Sequence, residues 1–415
     1  MRLATIGFYY DFTRFFAALH GQTTPKGEVT EVHNYAAHLS GYLFENNHEM
    51  GRVFLPVATR TKKADTSLPD HTLDWIGIYL ASSGMSPDRA RNISRRYATY
   101  FLDEFQKHRP DVVIIVGDTR MQSRAAVHAC QELGIQHYYF EQGPFGTTIL
   151  DTDGVNCTAS FAKTLSTSHP VSLPGECVPP PRARFVQRKA VRALDYIMQP
   201  FFLALGFSEI REEKKFWRQL SRHIWATRKA KSGAFTTYPL LVSFVLVIGQ
   251  VPTDANFSLH SPYSSFLQLI RDVEGVFPNS KVIFREHPLF IGSYGAEFYT
   301  HVATSPRVAF SRGTDLNAEI ESAKHIVVVN STAGMEVVLK HRKPLLCLGD
   351  ASYSHLNGVF SRDRLEDYLV ADTRISDADH AVNCGWFQSS FILGHFRDQD
   401  LRPVVSEILR MIDDS

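Results

Sequence analysis

Residues 323–349 read A-K-H-I-V-V-V-N-S-T-A-G-M-E-V-V-L-K-H-R-K-P-L-L-C-L-G and contain the pattern that decides the fold. Residues 326–329 are a β-branched run, residues 331–340 have apolar side chains at helical spacing, and residues 345–348 are apolar again. Short β-branched runs favour buried strands, whereas a period near 3.6 residues favours a helix. The stretch therefore predicts a β-α-β unit, which is the building block of a parallel sheet.

The turn between this strand and this helix carries small polar residues, Asn330, Ser331 and Thr332. They stand where a helix has unpaired N–H groups and the positive end of its dipole, and such an end can bind a phosphate. The simpler interpretation is that Ser331 or Thr332 only caps the helix. Both interpretations are open at this point.

Length and composition describe an ordinary globular protein of two domains. The chain has 415 residues, 44 basic and 43 acidic side chains and a net charge of +1, so no overall charge favours a nucleic-acid partner. Five cysteines without a C-x-x-C pair indicate neither a zinc site nor a disulfide framework and favour a reducing cytoplasm. No signal-peptide pattern and no apolar run of about 18–20 residues is present, so we expect no membrane span.

Strand and helix patterns alternate in both halves of the chain, which predicts an α/β protein with two Rossmann-like domains whose parallel sheets face a central cleft. The first domain is predicted at 1–178 and the second at 238–400. A basic helical connector is predicted at 179–237, and a C-terminal helix at 401–415.

Charge is concentrated in residues 182–231, which hold 13 basic and four acidic side chains together with an aromatic-rich stretch at 200–207. A basic helical segment with exposed aromatic residues suits an anionic membrane surface. A connector between domains with solvated charges explains the same composition, and the sequence does not separate the two.

Three predicted strands of the second domain end in polar groups, at 250–254, 285–288 and 330–332. Because the carboxyl ends of parallel strands share one edge of the sheet, we expect these groups to converge. His287 could donate to a phosphate there, and Arg285 could form a charge-assisted bond or stack on a ring. In the first domain the strand ends at 117–120 and 141–146 are expected to face the same crevice.

Each domain also offers a carboxylate near such an edge, Asp254 in the second and Glu141 in the first. The alternative interpretation of each carboxylate is that it caps a helix or stabilises a turn. Placed on opposite walls of a cleft, they suit glycosyl transfer, in which one group attacks the anomeric carbon and the other handles a proton. No D-x-D cluster accompanies them, and hydrogen-bond donors with a helix dipole can stabilise a phosphate leaving group, so we expect neither a metal nor another cofactor.

Four motifs in this order resemble the capsule polysaccharide biosynthesis proteins, a group of bacterial retaining β-Kdo glycosyltransferases. They are F-E-Q-G-P-F-G-T-T-I-L-D-T-D-G-V-N at 140–156, Q-V-P-T-D at 250–254, R-E-H-P at 285–288 and V-V-V-N-S-T-A-G-M-E-V-V-L-K-H-R-K-P-L-L-C-L-G at 327–349. The resemblance spans roughly residues 110–350. It implies a GT-B-like fold, CMP-β-Kdo as the donor and transfer of Kdo with retention.

The resemblance also implies roles for individual residues. By motif position, Asp254 is the nucleophile that forms a glycosyl adduct and Glu141 is the acid/base partner from the acceptor-side domain. His287 holds the cytidylate phosphate, with Ser331 and Thr332 at the helix end.

Further substrate-binding residues are expected beside them. Gln250, Arg285 and Asn330 are placed near the donor. Arg120 and Arg124 are assigned to the Kdo carboxylate by strand-end position alone.

The acceptor is left open. The motif Glu141–Pro144 differs from the shorter acidic-Gly-aromatic motif of many capsule members. This difference favours the branch of the family that caps O-antigen chains. We expect a lipid-linked or lipid-anchored glycan acceptor, a cytoplasmic protein and peripheral contact with the inner membrane through 182–231. The alternatives are an inverting transferase that uses another CMP-sugar of the sialyl type, and a non-catalytic capsule assembly or export protein.

Overall fold

The computed structural model divides the chain into two compact units. It describes residues 1–7, 31–36, 54–56, 86–163, 177–180, 182–184, 243–252, 254–288, 290–311 and 315–414, with single positions between 12 and 19 and between 190 and 205. Unit 1 consists of Met1–Val155, Pro179–Lys214 and Ser390–Ser415, and unit 2 of Asn156–Val178 and Lys215–Ser389.

The strands form one sheet in each unit. They are β1 Arg2–Gly7, β2 Glu31–Ala36, β3 Phe54–Pro56, β4 Val112–Val116, β5 Gln136–Gln142, β6 Thr148–Asp151, β7 Phe244–Ile248, β8 Lys281–Arg285, β9 Val308–Phe310, β10 His325–Val328, β11 Leu345–Cys347 and β12 Val359–Phe360.

Most of the α-helices follow the strands in alternation. They are α1 Pro87–His108, α2 Met121–Leu133, α3 Ala255–Leu259, α4 Phe266–Val276, α5 Ala296–Thr304, α6 Leu316–Ser322, α7 Ala333–Leu339, α8 Leu365–Val370, α9 Asp377–Ser390 and α10 Arg402–Asp413.

The sheet of unit 1 has the order β3-β2-β1-β4-β5-β6. Its strands pair in parallel except β6, which runs antiparallel to β5. Helix α2 ends at Gly134, which has a φ of 63° and donates its N–H back to the last turn, as the sequence predicts for a glycine C-cap.

The C-terminal helix α10 packs into the core of unit 1. Val404 and Ile408 on α10 lie in one buried cluster with Leu3 of β1 and Phe140 of β5. The sequence predicts this helix but gives it its own segment at 401–415. Its apolar face instead completes the core around β1 and β4, so that residues 390–415 belong to unit 1 rather than standing apart.

The sheet of unit 2 has the order β12-β11-β10-β7-β8-β9, and all its pairs are parallel. Strand β7 is central: the chain continues from it to β8 and β9 on one side, then crosses to β10, β11 and β12 on the other. This reversal is a topological switch point, the place where open α/β sheets form a ligand crevice at their carboxyl edge.

These two sheets confirm the predicted α/β class with parallel sheets. Most of the basic connector, including residues 206–237, lies outside the described residues. Among the residues that the structure describes, no helix is both long and apolar enough to cross a membrane.

Candidate functional site

At the switch point of unit 2, the ends of β7 and β10 are tied together by two side-chain amides. The Gln250 Nε2 group donates to Asn330 Oδ1 at 2.7 Å, and the Asn330 N–H donates to Gln250 Oε1 at 3.3 Å. Both side chains are buried. The structure therefore joins two of the three polar strand ends directly.

Asn330 also fixes the helix that follows β7. Its Nδ2 group donates to the carbonyl of Asn256 at 2.9 Å and to that of His260 at 3.0 Å. These partners lie at the two ends of the short helix α3. Gln250 and Asn330 thus form a clamp that sets the position of α3 against the sheet.

Asp254 is the residue that begins α3. Its Oδ1 accepts a hydrogen bond from the Asn256 N–H at 3.1 Å, so the capping interpretation of this carboxylate is realised. The side chain is half-buried at the carboxyl end of β7. The cap fixes the carboxylate at the switch point, which is also what a catalytic carboxylate requires.

His287 brings the third strand end to the same place. Its backbone N–H donates to the Tyr294 hydroxyl at 2.7 Å, and that hydroxyl donates to the Gln250 carbonyl at 3.0 Å. Burial lowers the pKa of His287, and the nearby negative charge of Asp254 opposes this shift. The imidazole is therefore neutral at pH 7, and it lies within electrostatic reach of Asp254.

Arg285 is held by a buried acid. Its Nη1 lies 2.7 Å from Glu319 Oε2, and Glu319 is fully buried. The Ser311 hydroxyl donates to the other oxygen of the same carboxylate. The sequence predicts Arg285 near the donor, but this ion pair already occupies one side of its guanidinium.

Ser331 and Thr332 stand at the start of α7. Ser331 Oγ accepts from the Ala333 N–H at 3.3 Å, and the Tyr353 hydroxyl donates to the Ser331 carbonyl. The Thr332 side chain is exposed and makes no capping bond to the helix. A small open pocket lies here. It is lined by Asn156, Cys157, Asn256, Asn330, Thr332, Met335, Asp350, Ala351, Ser352 and Tyr353.

Several lining residues of this pocket were missed by the sequence reasoning. Residues 350–353 directly follow β11, so the strand-end rule that selected 330–332 could have selected Asp350 as well. Asn156 is the last residue of the motif at 140–156, and no role of its own was predicted for it from the sequence. No sequence pattern marks Tyr294, because this residue lies in a loop and contributes only one hydroxyl group.

In unit 1, Glu141 lies near the end of β5 and faces the loop after β4. A Cβ atom at Gly117, which has a φ of +68°, would stand 3.6 Å from Glu141 Oε2. Burial raises the pKa of Glu141, and the hydrogen bond from the Gln142 N–H and the charge of Arg120 oppose this. The raised pKa makes this carboxylate a stronger base than that of an exposed glutamate, as suits a group that accepts a proton.

Three further charged residues surround this strand end. Asp118 adds to the raised pKa of Glu141, and Arg397, which the sequence reasoning missed, opposes it. Asp118 also accepts from the Val155 N–H at 3.2 Å, which fixes the start of the G-V-N turn. Arg124 lies beside Tyr139 and counteracts the rise that burial causes in the pKa of this phenol.

The structure thus assembles one cluster around Asp254 and His287 in unit 2 and another around Glu141 and Arg120 in unit 1. The approach of Glu141 to Asp254 stays a prediction. Neither cluster forms a metal-binding group within the described parts of the chain, where one such group, Cys177, His380 and Cys384, is found in unit 2.

These features define a class of protein with two Rossmann-like α/β sheets and a polar site at the switch point of the second. The family model described as capsule polysaccharide biosynthesis protein matches residues 111–396. The chain belongs to this family.

Two curated proteins are similar to the chain. Protein FixF of Sinorhizobium fredii is 32% identical over 132 residues, which covers 31% of this chain and 32% of that protein. The chain therefore matches about a third of the length of FixF. The capsule polysaccharide export protein KpsS of Escherichia coli is 21% identical over 307 residues, covering 67% of this chain and 77% of KpsS.

Among solved structures, the chain is similar to KpsC of Thermosulfurimonas dismutans, described as a beta Kdo 2,7 transferase. The identity is 14% and the TM-score 0.42, with 99% of this chain and 100% of that chain covered. A UDP-N-acetylglucosamine 2-epimerase from Listeria monocytogenes gives 11% identity and a TM-score of 0.34, with 100% and 96% covered.

Proposed function

We propose that this protein is a retaining glycosyltransferase that moves β-Kdo from CMP-β-Kdo to a surface-glycan acceptor, an O-antigen chain or a capsule linker. The observation that carries the proposal is the joining of three strand ends at one switch point, with Asp254 within electrostatic reach of a neutral His287. Family membership and the four motifs support the choice of sugar and nucleotide.

In the first step the Asp254 carboxylate attacks the anomeric carbon of Kdo. The bond from this carbon to the phosphate oxygen breaks, and CMP leaves with the electron pair. The bond from the Asn256 N–H holds the carboxylate in place. The neutral His287 ring and the helix end at Ser331 and Thr332 hold the phosphate by donating hydrogen bonds.

In the second step an acceptor hydroxyl attacks the same carbon and releases Asp254, which gives net retention. Glu141 accepts the proton of that hydroxyl, and its raised pKa makes it a stronger base for this step. Arg120 and Arg124 bind the carboxylate of Kdo. We propose that the chemistry needs neither a metal ion nor another cofactor, because donors and helix dipole stabilise the single phosphate.

The test is incubation of the purified chain with CMP-β-Kdo and a panel of acceptor glycans. CMP release with a retained anomeric configuration, together with a mass increase of one Kdo on Asp254, is the expected result. Asp254→Asn should abolish both, whereas Asp315→Asn, which removes a comparable helix-capping carboxylate on α6, should preserve them. Normal turnover by Asp254→Asn would refute the nucleophile.

A second candidate function is a non-catalytic role in capsule assembly or export, favoured by the similarity to KpsS, a capsule polysaccharide export protein. The same incubation separates the two, since a binding protein releases no CMP. An inverted product with no adduct would instead indicate an inverting CMP-sugar transferase of the sialyl type.

We also propose that the enzyme is cytoplasmic and contacts the inner membrane peripherally through residues 182–231. Ile197, Phe201 and Leu205, spaced four residues apart, are 61%, 55% and 55% exposed, and the Leu205 N–H donates to the Phe201 carbonyl as in a helical turn. Apolar side chains exposed within a basic segment match an anionic lipid surface.

Vesicle sedimentation tests this contact. The wild-type chain should bind vesicles containing anionic phospholipid and not neutral ones. Replacing Ile197, Phe201 and Leu205 by Ser should remove this binding, while Val370→Ser, which changes an exposed apolar side chain on α8, should not. Equal binding to neutral vesicles would contradict the electrostatic part of the proposal.

A further inference from the structure

A cluster of three potential metal ligands in unit 2 lies outside the proposed reaction. The side-chain ligand atoms of Cys177, His380 and Cys384 are all within 4.8 Å of one another. His380 and Cys384 are four residues apart on α9, so both project from the same face of the helix. Cys177 comes from a segment 207 residues earlier in the chain, and both sulfur atoms are buried.

The structure pairs Cys177 and Cys384 as a disulfide, with their Cα atoms 5.2 Å apart. Sequence spacing gave no sign of this pair, because the two cysteines are distant along the chain. A disulfide does not require a third side chain. The presence of His380 beside it is therefore the feature to be explained.

His380 is oriented as a metal-binding histidine would be. Its Nε2 lies 2.9 Å from the Leu339 carbonyl oxygen, which can only accept, so Nε2 carries the proton and Nδ1 keeps a lone pair. Cys384 Sγ lies 3.8 Å from Nδ1 and 3.6 Å from Nε2. Metal-bound histidines almost always donate their other N–H to a carbonyl or carboxylate in this way, which fixes the tautomer.

We propose that, in the reduced protein, Cys177, His380 and Cys384 bind a divalent ion of the Zn²⁺ type, with water as the fourth ligand. Two thiolates and one imidazole form a known three-ligand set for zinc. Bond lengths of about 2.3 Å to sulfur and about 2.0 Å to nitrogen place sulfur and nitrogen about 3.5 Å apart in a tetrahedral site. The distance from Cys384 Sγ to Nδ1, 3.8 Å, is close to this spacing.

The conversion from the disulfide is a balanced exchange. Two thiol groups of a reductant give up their hydrogens and become a disulfide, while Cys177 and Cys384 become thiols. Binding of the ion then displaces the two thiol protons to solvent. The sulfur atoms move apart to about 3.8 Å in a tetrahedral site, a small change for side chains whose backbones stay in place.

The site would clamp the segment that lines the pocket. Phe161, which precedes Cys177 in the chain, contacts α9 at a second point, where the Trp386 Nε1 group donates to the Phe161 carbonyl at 3.0 Å. Asn156 and Cys157, at the beginning of the same segment, line the pocket beside Thr332. A metal at Cys177 would thus anchor the far end of a segment whose near end borders the candidate site, without taking part in the reaction.

The test compares the full chain after reduction with a phosphine, in the absence of oxygen, with the oxidised chain. Zinc content is measured by mass spectrometry, and Co²⁺ is used as a coloured substitute whose thiolate charge-transfer band reports sulfur ligation. The reduced wild type should bind one ion per chain through cysteine, and the oxidised chain none. Reduced protein that stays folded by circular dichroism but binds no ion would overturn the proposal.

Variants separate a metal site from a plain disulfide. His380→Ala should still form the disulfide on oxidation, seen as the loss of two hydrogens in the intact mass, yet bind the metal more than about 10-fold more weakly. Cys384→Ser should lose both properties, and Cys130→Ala, which changes a buried cysteine of α2, should lose neither. Unchanged affinity in folded His380→Ala, or in His380→Gln if the first variant is unstable, would refute the assignment of the third ligand.

Discussion

The Tyr294 hydroxyl is the smallest group on which the geometry of the candidate site depends. It accepts from the His287 N–H and donates to the Gln250 carbonyl, so it joins the ends of β8 and β7. Tyr294→Phe removes this oxygen and leaves the ring in place. The buried Gln250 carbonyl then loses its partner, at a cost of about 1–3 kcal/mol, and the part-buried His287 N–H loses its partner at a smaller cost.

We therefore expect Tyr294→Phe to lower the free energy of unfolding by about 2–3 kcal/mol. For a unit of this size that corresponds to a fall in Tm of about 4–10 °C. The larger effect should be on activity. If release of the His287 backbone moves its ring by about 1 Å, kcat/KM for CMP-Kdo should fall by up to about 100-fold.

Tyr263→Phe is the matched control. The Tyr263 hydroxyl donates to Asp272 Oδ2 at 2.6 Å on α4, so this variant also loses one tyrosine hydrogen bond in unit 2. Thermal unfolding and CMP release are measured for both variants, and NMR titration of the His287 ring reports whether its surroundings have changed. A Tyr294→Phe protein that is destabilised like the control, but keeps its kcat/KM and its His287 titration, would refute the positioning role.

Three further predictions concern stability and pH. Gly334→Ala should destabilise unit 2 by about 1–3 kcal/mol in denaturant unfolding, because its Cβ would lie 2.6 Å from Tyr353 Cζ. Gly275→Ala on α4 is the control: its Cβ meets no atom within 4 Å, so this variant should stabilise the helix by about 0.5–1 kcal/mol. Burial, together with the charges of Arg184 and Arg397, lowers the pKa of His395 from 6.5 to about 4. The free energy of unfolding of unit 1 should therefore fall by up to about 3 kcal/mol as the pH is lowered from 6.5 to 4. In urea titrations His395→Gln should show a smaller dependence on pH, and an unchanged dependence would contradict this prediction. Burial raises the pKa of Glu141, so kcat should rise with pH through a value above 4.5, and Glu141→Gln should remove this limb from the pH profile along with most of the activity.

The parts of the site that could be predicted are those that depend on local sequence patterns and on the topology of a parallel sheet. The run at 326–329 and the helical period after it fixed the β-α-β unit, and the shared edge of parallel strands then brought Gln250 and Asn330 together, as the structure shows. These inferences need only local pattern and topology. They do not reveal which polar groups are already satisfied by the protein itself.

Arg285 illustrates this limit. The sequence predicts its position at the end of a strand, but its buried partner Glu319 lies on helix α6, 34 residues later. The same applies to the pair Cys177 and Cys384, which no spacing rule connects. Contacts between distant segments depend on packing, and a single sequence contains no local pattern for them.

The membership of α10 in unit 1 has a consequence for the order of folding during synthesis. The strands of unit 2, from β7 to β12, are consecutive in the chain, so their sheet can assemble as soon as residue 360 has left the ribosome. Unit 1 has its strands at the beginning of the chain but receives Val404 and Ile408 of its core last. The strands of unit 1 are therefore synthesised long before Val404 and Ile408, and the apolar core residues that this helix covers stay exposed until then, so chaperones would be expected to engage them.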